Sequence, residues 1–275
     1  MSLSEADWLG FCRRAGAAAR EAVGSYSTRA ERSVETGRGE GGDMAYVIDR
    51  ASEDAIFAEL EALEVPLTAV SEERGEVSLH GGGPVRVVID PVDGSVNAKR
   101  GLPFACVSIA VASGARMADV EVGWVAELAP SGGHAGVTTR DWWAVRGEGA
   151  FVSEQRLPQL EPGPLEMLGV ETARPALVAA VAPALAQVEA RRIRALGSVA
   201  SSICLVAAGQ LDAMVSLRAV RSVDVAAAQL LVTECGGSVA FPGGDALDLD
   251  MRSHVTAARS PELVEQLLGA LVPGA

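Results

Sequence analysis

Asp90-Pro91-Val92-Asp93-Gly94-Ser95, closing the apolar run Val85 to Ile89, decides the reading of this chain. Two carboxylates three residues apart, on a turn stiffened by proline and opened by glycine, suit a hard divalent cation. Mg²⁺ takes oxygen ligands and, held by one or two carboxylates, keeps positions for water and a substrate phosphate. Gly94 and Ser95 add backbone N–H groups and a hydroxyl at the start of a predicted short helix, an arrangement that favours an anion. Cation below and phosphate above would make a phosphate-cleaving site.

Upstream, Ser4 followed by Asp7 resembles a capping box, and Trp8, Phe11, Ala15, Ala19 and Val23 recur at helical spacing. The first thirty residues are therefore expected to form an amphipathic helix. Gly37 to Gly42 reads as a flexible loop. A second helix follows, with Ile48, Ala51, Ala55, Ile56, Leu60 and Leu63 on one face and Asp49 in its first turn, near the loop and not deep in a core. From Thr68 onward the pattern is of short β segments, clearest over 104–112 and 119–128. In the latter, Val120, Val122, Trp124, Ala126 and Leu128 alternate with more polar residues, which predicts one buried face. Asp141 to Arg146 is a further strand.

The first half, 1–152, is predicted to be an α+β unit carrying the acidic motif. Residues 153–175, rich in proline, glutamate and glutamine, read as a connection. The second half, 176–275, alternates strand and helix. Strands are expected over 176–181 and 211–217, and helices from Ser198 to Ala208 and from Asp224 to Cys235, each stopped by glycine. Ser260-Pro261-Glu262 opens a last helix. A meander followed by βα alternation predicts layered sheets and helices.

The 275 residues carry a formal charge of −13 and a single lysine, Lys99. No basic surface is available for a nucleic-acid polymer or an anionic membrane, so the partner is expected to be a small molecule. A protein this acidic that handles phosphate must screen its own carboxylates locally, which again calls for bound cations. Cys12, Cys106, Cys204 and Cys235 are scattered, without any Cys-x-x-Cys pair, and read as reduced core residues. With no signal-peptide pattern at the N-terminus and no apolar run of spanning length, a cytoplasmic protein is expected.

Glu72 and Glu73 follow the β-like Thr68-Ala69-Val70 and so sit at a strand end; Asp224 opens an otherwise apolar helix. Taken singly, Asp224 and Asp49 are ordinary first-turn or capping aspartates. Taken together, isolated acids beside glycine turns and element ends are what a metal cluster needs. His80, His134 and His254 have no zinc-ligand spacing. Ser95 could be read as a nucleophile, but a hydroxyl that orients water fits better. The Gly37–Gly42 stretch has no Walker lysine. Arg218 and Arg221 read as surface charges unless the substrate carries a second anionic group.

These residues resemble the signature of the inositol monophosphatase family of Mg²⁺-dependent, lithium-sensitive phosphatases. The resemblance runs through Ser71-Glu72-Glu73, through Asp90 to Ser95 with Asn97 and Gly101-Leu102-Pro103-Phe104, and through Gly147-Glu148-Gly149-Ala150-Phe151. Gly197-Ser198 and Asp224-Val225-Ala226-Ala227, running to Glu234-Cys235-Gly236-Gly237, complete it in the same order and at similar spacing. It implies a layered αβαβα sandwich, shared with fructose-1,6-bisphosphatases, commonly a homodimer, with the site between the two halves. It also implies that Glu72, Asp90 and the carbonyl of Val92 hold one Mg²⁺, that Asp90, Asp93 and Asp224 hold a second, and that a weaker third ion could bind near Glu72. Asp49, paired with the Ser95 hydroxyl, would orient or deprotonate the attacking water. Substrate contacts would come from Val92, Asp93, Gly94, Ser95, Gly197, Ser198, Val199, Ser216, Arg218 and Asp224.

Three departures bear on the substrate. Val223 stands where the family usually has tryptophan, and Tyr46 where it has threonine. Val215-Ser216-Leu217-Arg218 replaces the strand on which inositol-specific members carry a glutamate. Leu217-Arg218 with Val223-Asp224 is closer to members that also cleave the 1-phosphate of fructose 1,6-bisphosphate. The expected reaction is hydrolysis of a small phosphorylated polyol or sugar, inositol 1-phosphate first. Fructose 1,6-bisphosphate and adenosine 3′,5′-bisphosphate are the alternatives, and a regulatory pseudophosphatase is the non-enzymatic one.

Overall fold

The computed structural model describes residues 7–128, 139–172 and 174–271. Ser4 and His134 lie outside them. Helix α1 (Trp8–Gly24) starts from Asp7, whose side chain accepts the Gly10 N–H, and α2 (Arg29–Arg32) is a separate turn behind a Thr28 capping box, so the single helix expected at the start is broken into two over residues 8–32. The glycine-rich stretch expected to be a loop is mostly one: Gly37 and Arg38 end β1 (Glu35–Arg38), and residues 39–42 lie in the turn to its hairpin partner β2 (Met44–Tyr46), which leads directly into α3 (Val47–Glu61).

Eight strands then form one sheet: β3 (Leu67–Ser71), β4 (Gly75–Leu79), β5 (Arg86–Asp93), β6 (Cys106–Ala112), β7 (Val120–Glu127), β8 (Asp141–Val145), β9 (Gly149–Val152) and β10 (Gln155–Arg156). Their order is β10-β9-β8-β7-β6-β5-β3-β4, antiparallel except for the β3/β5 pair. Helix α4 (Ser95–Arg100) follows β5 directly.

A second sheet has the order β12-β11-β13-β15-β14. It is built from β11 (Met167–Glu171), β12 (Arg192–Arg194), β13 (Ala213–Ser216), β14 (Ser238–Ala240) and β15 (Thr256–Ala258). Its strands are linked by α5 (Pro175–Gln187), α6 (Val199–Ala207) and α7 (Ala226–Glu234), and α8 (Pro261–Leu271) follows the last. Two expectations are corrected here. Strand β11 lies inside the segment read as a mere connection, and 176–181 belongs to a helix opened by Pro175 at its first turn.

Alternating side chains sort the strands into three apolar layers. Val107, Ile109 and Val111 of β6 face Phe11, Ala15, Ile56 and Leu60 of α1 and α3, whereas Cys106 and Ala110 face Ile203, Leu230 and Leu231 of α6 and α7. In β13, Met214 joins that second layer while Ala213 and Val215 join Leu263, Val264 and Leu267 of α8. The result is helix, sheet, helix, sheet, helix, an α+β sandwich in which the large sheet is covered on both faces. Strand β7 is therefore buried on both sides, not on one. Its second face is open enough for α7 because residue 123 is glycine: a Cβ there would stand 2.4 Å from the carbonyl oxygen of Ala227.

Candidate active site

The parallel pairing of β3 with β5 sets Ser71 beside Ile89, so the next residue of each strand, Glu72 and Asp90, emerges at the same sheet edge. The acidic motif is not wholly a turn. Asp90 to Asp93 are the last residues of β5, with a register shift against β6 at Pro91-Val92, where proline has no N–H to donate. The shift turns the chain, the Asp90 Oδ1 accepts the Val92 N–H at 3.0 Å, and the Ser52 hydroxyl donates to the Pro91 carbonyl at 2.7 Å. Gly94 then takes φ +89°, and a Cβ there would meet the Phe104 carbonyl at 2.7 Å.

One carboxylate oxygen from each of Glu72, Asp90 and Asp224 lies within 4.8 Å of the others. Asp224 arrives from just ahead of α7 and does not cap that helix, whose N-cap is Val225; its Oδ2 accepts the Arg221 N–H at 2.8 Å. Asp93 stands at the edge of this set. Its Oδ2 accepts the Ser198 hydroxyl at 2.7 Å and the Ala200 N–H at 2.6 Å, which ties the end of β5 to the start of α6 and leaves Oδ1 for other partners.

Asp49 is buried, not merely near a loop, although it does occupy the first turn of α3. Its Oδ2 accepts the Tyr46 N–H at 2.6 Å and its Oδ1 faces the Ser95 hydroxyl at 3.0 Å. That hydroxyl is also 2.8 Å from the Val92 carbonyl. It has one proton, so it can serve either acceptor.

The electrostatics of the cluster are those of crowded anions in a dry place. Burial pushes the Asp49 carboxyl up to about 6, with its hydrogen bonds pulling the other way. Burial pushes Glu72 up to about 7 against the attraction of Arg221. Asp93 goes to about 7 by burial and the nearby Asp224, and Asp90 well above the usual carboxylate range by burial, Glu72 and Asp93. Glu73, buried behind Glu72, rises to about 8 for the same reasons. Hard oxygen donors that repel one another in a desolvated pocket fit Mg²⁺.

Arg221 is the residue that the sequence reading misplaced most. It is not a surface charge: its side chain is 12% exposed, with Nη1 2.6 Å from Glu72 Oε1 and Nη2 3.0 Å from Asp224 Oδ1. Arg218 lines the cleft together with Arg174. The other expected contacts divide. Gly197 and Val199 line the cavity of about 740 Å³ that adjoins the acids, where Arg252 also lies. Ser198 is buried, bonded to Asp93 and Ser201. Ser216 is buried as well; its hydroxyl accepts the Val255 N–H at 2.8 Å, so it supports the sheet and does not line the cleft. One more residue frames the cleft without any local signal in the sequence. Glu171, at the end of β11, accepts the Leu196 and Gly197 N–H groups, each at 2.9 Å, and the Ser202 hydroxyl at 2.6 Å. Asn97 holds the same loop by donating to the Leu196 carbonyl at 2.7 Å.

A five-layer sandwich with a carboxylate cluster at the joint between its two sheets defines the class of metal-dependent sugar and polyol phosphatases. The chain belongs to the inositol monophosphatase family: that family's model matches residues 7–273. It is 32% identical to the fructose-1,6-bisphosphatase/inositol-1-monophosphatase of Methanothermobacter thermautotrophicus over 254 residues, 85% of each chain. It is also 32% identical to the Nus factor SuhB of Pasteurella multocida over 240 residues, 84% of this chain and 83% of that one. Among solved structures, an inositol monophosphatase-fructose 1,6 bisphosphatase superimposes with a TM-score of 0.81 at 25% identity, over 97% of this chain and all of the other.

Proposed function

We propose that this protein is a Mg²⁺-dependent phosphatase that hydrolyses a small phosphate monoester, inositol 1-phosphate being the first substrate to test. The observation that carries the reading is the convergence of Glu72, Asp90 and Asp224 within 4.8 Å, beside the Asp49–Ser95 pair. Glu72, Asp90 and the Val92 carbonyl are assigned to one ion, and Asp90, Asp93 through its free Oδ1, and Asp224 to a second; a weaker third would sit near Glu72. When bound, Mg²⁺ offsets the charge of the ester dianion, acidifies a water and steadies the leaving alkoxide.

The chain's own groups do the rest. Asp49, fixed by the Tyr46 N–H, keeps Oδ1 for the Ser95 hydroxyl. When that hydroxyl donates to Asp49, its lone pairs are free to accept a proton of the attacking water and aim it in line with the phosphorus. Asp49 is close enough to receive the water's proton through Ser95. Gly94 and Ser95 line the acid cleft, where their backbone N–H groups would meet the phosphate, and Gly197 and Val199 line the adjoining cavity, which would take the leaving group. No covalent phosphoenzyme is needed. The uncatalysed reaction is so slow that positioning and electrostatics together must lower the barrier by about 20 kcal/mol or more.

A second substrate, fructose 1,6-bisphosphate, is favoured by Arg218, Arg174 and Arg252, which line the cleft and its adjoining cavity and suit a distal phosphate. The names of the Methanothermobacter thermautotrophicus relative and of the solved structure at 25% identity pair both activities and support it. The four acids argue against a regulatory pseudophosphatase, since a protein freed from metal chemistry has no reason to keep them together. Four buried, unpaired thiols suit the reducing cytoplasm, and no helix among the described residues is long and apolar enough to cross a membrane. We assign a homodimer on family grounds, to be tested by sizing in solution. Phosphate release with Mg²⁺ from inositol 1-phosphate, fructose 1,6-bisphosphate and adenosine 3′,5′-bisphosphate tests the activity and ranks the substrates. Silence on all three would overturn the enzymatic reading.

A further inference from the structure

Arg221 is placed as a cation inside a site made for cations. Its guanidinium spans Glu72 and Asp224, two of the three converging carboxylates, at 2.6 and 3.0 Å, and its own backbone N–H takes the remaining oxygen of Asp224 at 2.8 Å. Both oxygens of Asp224 are thus engaged by one residue, three positions earlier in the chain.

The contact with Glu72 is close in distance but not aligned as a hydrogen bond, since Nη1 is buried without an aligned acceptor. Charge dominates that contact, and a divalent ion brings more positive charge to the same oxygens. A different partner stands within reach: Oδ2 of Asp43, on the turn between β1 and β2, is 3.5 Å from the same Nη1, and Asp43 is exposed, its side chain 64% accessible. The turn that carries Asp43 is itself docked to the acidic edge, because the Gly41 N–H donates to the Glu72 carbonyl at 2.8 Å.

We infer that Arg221 is a resident counter-ion that competes with the divalent metal for Glu72 and Asp224 and swings toward Asp43 when the metal binds. In the metal-free protein the guanidinium neutralises two carboxylates that could not otherwise stay charged side by side in a desolvated cleft. Metal entry must release it. The apparent affinity for the ion then carries the cost of emptying those oxygens, in proportion to the fraction of time they are free. Arg221 is a positioning residue in this scheme; it acts on the cation and not on the reacting phosphate. The inference rests on the cleft's being a divalent site.

Calorimetric titration of Mg²⁺ into chelator-treated wild type, Arg221→Gln and Arg218→Gln tests it without any turnover. If the guanidinium holds the oxygens about nine-tenths of the time, Arg221→Gln tightens Mg²⁺ binding about tenfold. Arg218→Gln removes the same charge from the cleft wall without freeing a ligand, and its gain should be clearly smaller. Equal gains would reduce Arg221 to a long-range charge and overturn the competition; so would unchanged or weaker binding by Arg221→Gln. A wild type and variants that all bind no Mg²⁺ would overturn the divalent site itself along with this inference. Should Arg221→Gln fail to fold, the wild type crystallised with Mn²⁺ decides. Competition requires the guanidinium withdrawn from Glu72 and Asp224, and a guanidinium still seated on both beside a bound ion would refute it.

Discussion

The Ser95 hydroxyl lies 3.0 Å from Oδ1 of Asp49, joining the first turn of α3 to the first residue of α4 across 46 positions of chain. Each partner is also fixed from elsewhere, Asp49 by the Tyr46 N–H and Ser95 by its closeness to the Val92 carbonyl. The pair is therefore a preset geometry beside the carboxylate cluster and not part of it. Asp49→Asn and Ser95→Ala should each lower kcat by about 10²- to 10⁴-fold, the range for loss of a positioned proton acceptor or its relay. Mg²⁺ affinity, measured by titration, should stay near that of wild type. A parallel collapse of metal binding would move Asp49 into the ligand set.

The same carboxyl sets a limit on pH. Burial raises Asp49 to about 6 in the metal-free protein, and it works as the carboxylate, so activity should show an acid limb that bound Mg²⁺ shifts below that value. That acid limb should be altered in the Asp49→Asn variant. A pH–rate profile at saturating Mg²⁺ separates this from loss of the metal.

Stability of the metal-free protein should run against the usual expectation. Glu72 and Asp93 are raised to about 7 and Glu73 to about 8, whereas unfolded carboxyls titrate near roughly 4. The folded state thus binds more protons than the unfolded one across this window. The resulting stability is complete below the unfolded values and is lost as pH rises through about 7 to 8. Chelator-treated protein should melt at a lower temperature at pH 8.5 than at pH 6, values chosen to bracket roughly that window. Added Mg²⁺ should narrow the gap, because it binds the folded, deprotonated site. A metal-free protein whose melting temperature climbs over this range would contradict these shifts.

Glu171 predicts a structural cost of a different kind. Replacing it by alanine strips partners from the Leu196 and Gly197 N–H groups and the Ser202 hydroxyl around a carboxylate that is 1% exposed. Only the Ser202 hydroxyl is fully buried, Leu196 being half-buried and Gly197 exposed, so the loss should be about 1 to 3 kcal/mol, the cost of one buried group left unpaired. Denaturant unfolding checks this. A loss under about 1 kcal/mol would mean that water takes over those bonds.

Arg218 is the residue on which substrate choice turns. Its backbone is pinned to the Thr172 hydroxyl at 2.9 Å, and its side chain lines both the acid cleft and the adjoining cavity. Arg218→Ala should reduce kcat/KM for fructose 1,6-bisphosphate about tenfold or more beyond any loss on inositol 1-phosphate, in line with a charge-assisted contact of about 1.5 to 3 kcal/mol. Equal losses on both substrates would remove the distal-phosphate role.

Much of this was legible in the sequence, for reasons that differ by residue. Asp90, Asp93 and Ser95 stand close together in one segment, and Glu72 ends an apolar run, so spacing and local pattern were enough. The amphipathic faces of α1 and α3 gave their own buried residues, Phe11, Ala15, Ile56 and Leu60 among them. What escaped depends on partners far along the chain. Leu177-Val178-Ala179-Ala180-Val181 is an apolar run that fits strand or helix equally; Pro175 at the first turn was the signal for helix. Arg221 looked like one exposed arginine among many, because nothing local tells that Glu72, 149 residues earlier, will come to rest 2.6 Å from it. Glu171 was hidden in the same way, inside a proline-rich segment whose strand is made by pairing with β12 and β13. Ser216 was given a substrate contact by resemblance, yet strand alternation turns its hydroxyl toward the backbone of Val255.

The most direct test of the account is a crystal structure of the wild type soaked with Mn²⁺ and inorganic phosphate, with the ions located by anomalous scattering. Metal peaks are expected bridged by Asp90, one shared with Glu72 and the Val92 carbonyl and one with Asp93 and Asp224, with phosphate against both and near Ser95. An acid cluster that stays free of metal at saturating Mn²⁺, or ions held by other residues, would contradict it.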